Sequence, residues 1–132
     1  MNQEIIAARY ATKTNTFQTD TFSGRDEGIL GYVQNHSVSY YQESVKKHTA
    51  ESEFDISELE ELPRVEILYE YAGTDQSVLD YMLEERKPDG LVLACVGDGS
   101  FSKDLRKRIK DYDGETKIVR TSRVGDGLLI RN

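Results

Sequence analysis

Gly90-Leu91-Val92-Leu93-Ala94-Cys95-Val96 is an unbroken apolar run, and Gly97-Asp98-Gly99-Ser100 follows it at once. A strand with one wet face alternates apolar and polar residues. A strand apolar throughout belongs to a parallel sheet covered on both faces. The surroundings agree. Val65-Glu66-Ile67-Leu68-Tyr69 reads as a preceding strand and Lys117-Ile118-Val119-Arg120 as a following one. Between the first two strands, Thr74 or Asp75 can cap a helix whose Val78, Leu79, Met82 and Leu83 form one apolar stripe. Arg86 and Lys87 fall in its last turn, and Pro88 stops it. A second helix after the glycine turn would face Phe101, Leu105 and Ile109 inward. The order strand-helix-strand-helix-strand predicts a small βαβαβ domain with right-handed crossovers.

Upstream of Pro63 the chain changes character. Glu43 to Leu62 is charged and reads as a linker, with Phe54, Ile56, Leu59 and Leu62 spaced as apolar anchors. Residues up to Tyr41 are rich in Thr, Asn, Gln, Ser and Gly. Ile5 to Ala8 suggests a short strand. Gly28 to Val33 and Ser37 to Tyr41, separated by Gln34-Asn35-His36, predict a β-hairpin. A hairpin alone is marginal in water, and nothing else in this part supplies a core.

The chain has 132 residues and a net charge of -7. An acidic balance argues against nucleic acid or an anionic membrane surface as partner, since both reward basic faces. No apolar run approaches the roughly 18 residues of a membrane-spanning helix. The start, Met1-Asn2-Gln3-Glu4, does not read as a signal peptide. One cysteine and two histidines form no metal-ligand pattern.

Two places carry candidate chemistry. Lys13 stands among hydroxyl residues in Tyr10-Ala11-Thr12-Lys13-Thr14-Asn15-Thr16, ahead of Asp20-Thr21-Phe22. A lone lysine in a polar segment is ordinarily a solvated side chain, and a catalytic one needs burial or charged neighbours. Gly97 to Ser100 turns from a buried strand into a helix at the carboxyl end of the sheet, where ligands of open α/β folds gather. It resembles part of a dinucleotide fingerprint, but Ser102 stands where the third glycine would be. Tight turn chemistry accounts for it equally well. Cys95 reads as a buried inert thiol, His48 as a surface histidine, and Arg106-Lys107-Arg108 with Lys110 as a solvated helix face.

Taken together, several blocks in order resemble the bacterial type II L-asparaginases. They are Met1 to Ile5 with Ala8-Arg9, Thr12 to Thr16, Asp20-Thr21-Phe22, Gly28 to Val33, Lys47-His48-Thr49 with Phe54-Asp55-Ile56, Leu62 to Tyr69, Gly90 to Leu93 with Gly97 to Ser100, and Val119 to Val124. The resemblance implies an α/β fold: residues 1–42 as the end of an N-terminal α/β domain with its hairpin, 43–62 as linker, 63–132 as an incomplete small C-terminal domain. It implies hydrolysis of L-asparagine, and of L-glutamine in some relatives, without a cofactor. It implies a homotetramer whose sites form between subunits, and an exported or, with no leader in this chain, cytoplasmic location. By resemblance Lys13 is the lysine of the proton relay, and Ser100 is the residue that reaches the neighbouring subunit's site. Thr19-Asp20-Thr21 resembles a substrate motif but follows the lysine instead of preceding it, so no role is carried onto it.

The family's nucleophile is a threonine on a Thr-Gly-Gly-Thr loop, and this sequence has no Gly-Gly pair. Groups of a catalytic unit act together, so a relay lysine without its nucleophile accelerates little. The expectation is therefore a piece of an asparaginase, inactive alone. Two further readings are a non-enzymatic chain that associates with full-length homologues and a small-ligand module using Gly97 to Ser100.

Overall fold

Asn35 and His36 both take positive φ, 47° and 64°, and close a two-residue turn of the kind that matches the twist of a hairpin. In the computed structural model, which describes residues 2–130, this turn joins two of five strands in the first of two units; the division falls after Glu58. The strands are β1 (Glu4–Ile5), β2 (Thr12–Lys13), β3 (Phe22–Ser23), β4 (Gly31–Gln34) and β5 (Ser37–Tyr40). They form an antiparallel sheet of order β1-β4-β5 and a separate β2-β3 pair. The hairpin is shorter than its sequence implied. Gly28 ends a 3₁₀ turn over Arg25–Glu27, and Gln34 belongs to the strand, leaving two residues for the turn. Only Ile5 of the Ile5-to-Ala8 stretch is paired.

Among the described residues of this unit no large apolar side chain is buried; Thr21 is, at 5% exposure. The expected anchors Phe54, Ile56, Leu59 and Leu62 are also exposed. Glu53, Asp55, Glu58, Glu60 and Glu61 interleave them, and those carboxylates keep the segment in water.

The second unit holds β6 (Val65–Tyr69), β7 (Gly90–Cys95) and β8 (Lys117–Ser122), paired in parallel with β7 central. Helix α1 (Gln76–Asp80) runs on as a wider π-helical segment, Tyr81–Arg86, and α2 covers Lys103–Lys110. Asp75 is the N-cap of α1, accepting the Ser77 amide at 2.9 Å. That bond holds its carboxyl below the usual range. Lys87 takes a left-handed φ of 44°, returns its amide to the Met82 carbonyl at 2.9 Å, and Pro88 follows.

Both helices press on one face of the sheet. Leu79 from α1, Leu83 from the π-helical segment and Leu105 from α2 meet Leu68, Leu91, Leu93 and Cys95. Val78, expected on the apolar stripe, is 41% exposed. The wider π-helical segment that follows carries Met82 and Leu83 inward with Leu79, which leaves Val78 at the margin. Arg108 does not lie on a solvated face: it bridges α2 to Asp80 and Glu84 of the first helical segment and lies over the Tyr112 ring, 5.9 Å away. Arg86 pairs with Glu66 at 2.6 Å, and this bond holds the Glu66 carboxyl below its ordinary range.

The opposite sheet face is the departure from expectation. Register places Ile67, Val92 and Val119 in one row. Ile67 and Val119 are exposed and Val92 is half-buried, so this row of the second face is open, while Ala94, two residues on along β7, is buried.

Leu93→Ala is expected to destabilise the second unit by about 2–5 kcal/mol, as a buried leucine truncation does, whereas Val119→Ala should stay within about 0.5 kcal/mol. Urea denaturation followed by circular dichroism separates the two. Asp75 has a folded pKa below its unfolded one. Its stabilisation is therefore complete above the ordinary carboxylate pKa and is lost as pH falls through the depressed value. Asp75→Asn should flatten the acid limb of stability against pH, and an unchanged limb would contradict the cap.

Candidate functional site

The hydroxyls around Lys13 tie down its loop. Lys13 ends β2 opposite Phe22, with an exposed side chain. Thr12 accepts the Arg25 guanidinium at 3.2 Å. The Thr14 hydroxyl and amide both donate to the Thr21 carbonyl, at 2.8 and 2.7 Å. The Asn15 amide donates to the Thr21 hydroxyl at 2.7 Å, which itself donates to the Asn15 carbonyl. The Asn15 side chain accepts the Phe17 and Gln18 amides, an Asx turn that folds the chain back. Thr21 is thus a buried clip whose hydroxyl and carbonyl are both bonded. Lys13 projects from a rigid support, and the first unit surrounds it with solvent.

Ser100 stands in the second unit, at the carboxyl end of the parallel sheet. The Ser100 amide donates to the Val96 carbonyl at 2.8 Å, and the Val96 amide returns a bond to the Ser100 carbonyl at 3.1 Å. Gly97 and Gly99 take φ of 51° and 91°. At Gly99 the left-handed φ is what favours glycine, since the closest atom a Cβ there would meet is a Leu129 methyl at 2.6 Å, the movable end of a side chain. The exposed Ser100 hydroxyl donates to Asp98 at 2.7 Å. The two residues singled out from sequence therefore stand in different units, each on its own braced turn.

A cavity of about 730 Å³ opens beside this turn, lined among others by Glu70, Thr74, Ser100, Ser102, Asp104 and Arg123. Sequence reading missed Glu70, Arg120 and Arg123. Glu70 is 6% exposed. Its Oε1 accepts the Ser102 amide at 3.2 Å, while Arg123 donates to its carbonyl at 2.9 Å. Arg120 reaches the Gly99 carbonyl at 3.4 Å and the Ile130 carbonyl at 2.6 Å. Only one signal could have found Glu70: an acidic residue directly after a strand, at the end of the sheet where sites form. Cys95 is buried; burial first and then the Glu70 charge push its thiol up, with Arg120 opposing. Among the described residues no cluster of three or more His, Cys, Asp or Glu could hold a metal ion, and no helix is long and apolar enough to cross a membrane.

Comparison with known proteins agrees across the whole chain. Residues 64–132 match the glutaminase/asparaginase C-terminal domain family, and residues 1–46 match the N-terminal asparaginase family. The L-asparaginase 2 of Escherichia coli (strain K12) is 36% identical over 96% of this chain and 36% of its own length. That of Bacillus subtilis (strain 168) is 35% identical over 100% and 35%. The crystal structure of a probable cytoplasmic L-asparaginase from Campylobacter jejuni superposes with a TM-score of 0.82 at 38% identity, covering 93% of this chain and 40% of that one. This chain thus spans little more than a third of the length of those curated relatives, and within that span it belongs to the glutaminase/asparaginase family.

Proposed function

We propose that these 132 residues are the part of an asparagine-hydrolysing enzyme that supplies the relay lysine and an intersubunit contact, and that they do not hydrolyse asparagine by themselves. The observation that carries this reading is the match over 96% and 100% of the chain to two proteins named L-asparaginase 2, while the roles of Lys13 and Ser100 rest on the resemblance of their own segments to the family's motifs. Residues 1–42 form the end of an N-terminal domain, 43–62 a linker and 63–132 the small C-terminal domain. The matched family boundaries support that partition.

Amide hydrolysis by this route needs a nucleophile, a proton relay and oxyanion donors. Lys13 would serve the relay. Its ammonium projects from a strand end that Thr14, Asn15 and Thr21 hold still. A relay lysine needs burial or charged neighbours, and the Lys13 side chain is exposed, so further protein would have to enclose it for catalysis. Ser100 would present its hydroxyl to a substrate in a neighbouring subunit's site. The nucleophile is a threonine that this sequence does not contain in the family's Thr-Gly-Gly-Thr setting. The substrate is L-asparagine, with L-glutamine as the alternative amide, and the assembly is a homo-oligomer.

The purified chain incubated with L-asparagine is expected to release no ammonia above the buffer blank. Mixed with an intact relative, it is expected to enter mixed oligomers visible by native mass spectrometry. Ammonia release from the chain alone that Lys13→Ala abolishes would overturn the first expectation. A strictly monomeric chain that never joins the relative would overturn the second.

A further inference from the structure

The turn that carries Ser100 is pinned at two points. At its start, Val96 and Ser100 exchange backbone hydrogen bonds at 2.8 and 3.1 Å. At its end, Ser102 is the N-cap of α2, its hydroxyl accepting the Leu105 amide at 3.2 Å. Between the pins lies a single residue, Phe101. Whatever fixes Ser102 therefore also fixes the direction in which the chain leaves Ser100. The group that fixes Ser102 is the Glu70 carboxylate, which accepts its amide at 3.2 Å from the end of β6.

Glu70 is suited to that task by place and by charge. Its own backbone is held on two sides: its amide donates to the Ala94 carbonyl at 2.9 Å, and its carbonyl accepts Arg123 at 2.9 Å. The side chain starts from a fixed point and meets the amino end of α2, where a negative charge is favoured. Its placement has a cost. The residue is 6% exposed, and Oε2 has no hydrogen-bond partner among the described residues. An apolar side chain there would bury no such group, so core packing does not account for a carboxylate at this position. The bond from Oε1 to Ser102 does.

We propose that Glu70 is a positioning residue: from the carboxyl end of β6 it fixes the Ser102 amide and so sets where Ser100 is presented. The functional consequence rests on the reading of Ser100 given above; the positioning itself does not, and it is measured without substrate.

The test is amide hydrogen exchange and chemical shift by NMR on the full chain labelled with ¹³C and ¹⁵N. In Glu70→Ala the Ser102 amide should exchange at least about tenfold faster, the loss expected for a charge-assisted bond, and the Ser100 and Phe101 signals should move. Leu91 and Leu93 amides in β7 should keep their protection, which separates lost positioning from general unfolding. Glu70→Gln retains a carbonyl acceptor and should restore most of the Ser102 protection. Unchanged Ser100 and Ser102 signals in Glu70→Ala would overturn the proposal, as would Glu70→Gln behaving like Glu70→Ala. If Glu70→Ala does not fold, the wild-type chain decides. A scalar coupling across the hydrogen bond from the Ser102 amide nitrogen to the Glu70 carboxyl carbon is the expected result. An unprotected, uncoupled Ser102 amide overturns the idea. Failure of asparagine hydrolysis in any assembly would leave these signals as they are and would count against the function alone.

Discussion

Burial on one face of the β6-β7-β8 sheet is the constraint on which the second unit depends. Leu91, Leu93 and Cys95 of the central strand lie against Leu79, Leu83 and Leu105 with almost no exposure. At about 25 cal/mol per Å² of apolar surface, a handful of such side chains supplies most of the favourable energy available to so small a unit. The polar contacts that aim the functional turn are built on that packing. Arg123 reaches Glu70 because β8 lies beside β7 and β7 beside β6, and Glu70 reaches Ser102 because Leu105 seats α2 on the same face.

The first unit obeys a different constraint. It buries no large apolar side chain among its described residues, and its order comes from backbone pairing and hydroxyl clips such as Thr21. Hydrogen bonds of this kind are worth little net in water and gain worth when solvent is excluded. Exposed Val33, Val38, Tyr40 and Tyr41 on the hairpin agree with the same reading, as does the bare row of Ile67 and Val119 in the second unit. Membership in the glutaminase/asparaginase family makes sense of such surfaces, because this chain corresponds to little more than a third of its longer relatives.

The central strand, the helices before and after it in sequence and the hairpin were legible from residue pattern, whereas Lys13 and Ser100 were singled out by resemblance alone. Periodicity reports which residues are apolar and at what spacing, and Gly90 to Val96 between two helical stripes leaves few alternatives. The exposed anchors of the linker were not legible. Phe54 and Leu62 have the spacing of packed residues, but spacing does not say whether a surface exists to receive them. Val78 escaped for a local reason: the helix widens after Asp80, and an ideal period cannot register that.

By itself, the amino-acid order determined the parallel βαβαβ pattern and the presence of a hairpin near Asn35, since both are local or ordered along the chain. Only the tertiary structure decided that the row of Ile67, Val92 and Val119 stays open, that Arg108 ties two helices together, and that Glu70 grips the Ser102 amide. These contacts join residues 20 or more positions apart. Their partners are chosen by strand order and helix seating, which no local pattern specifies.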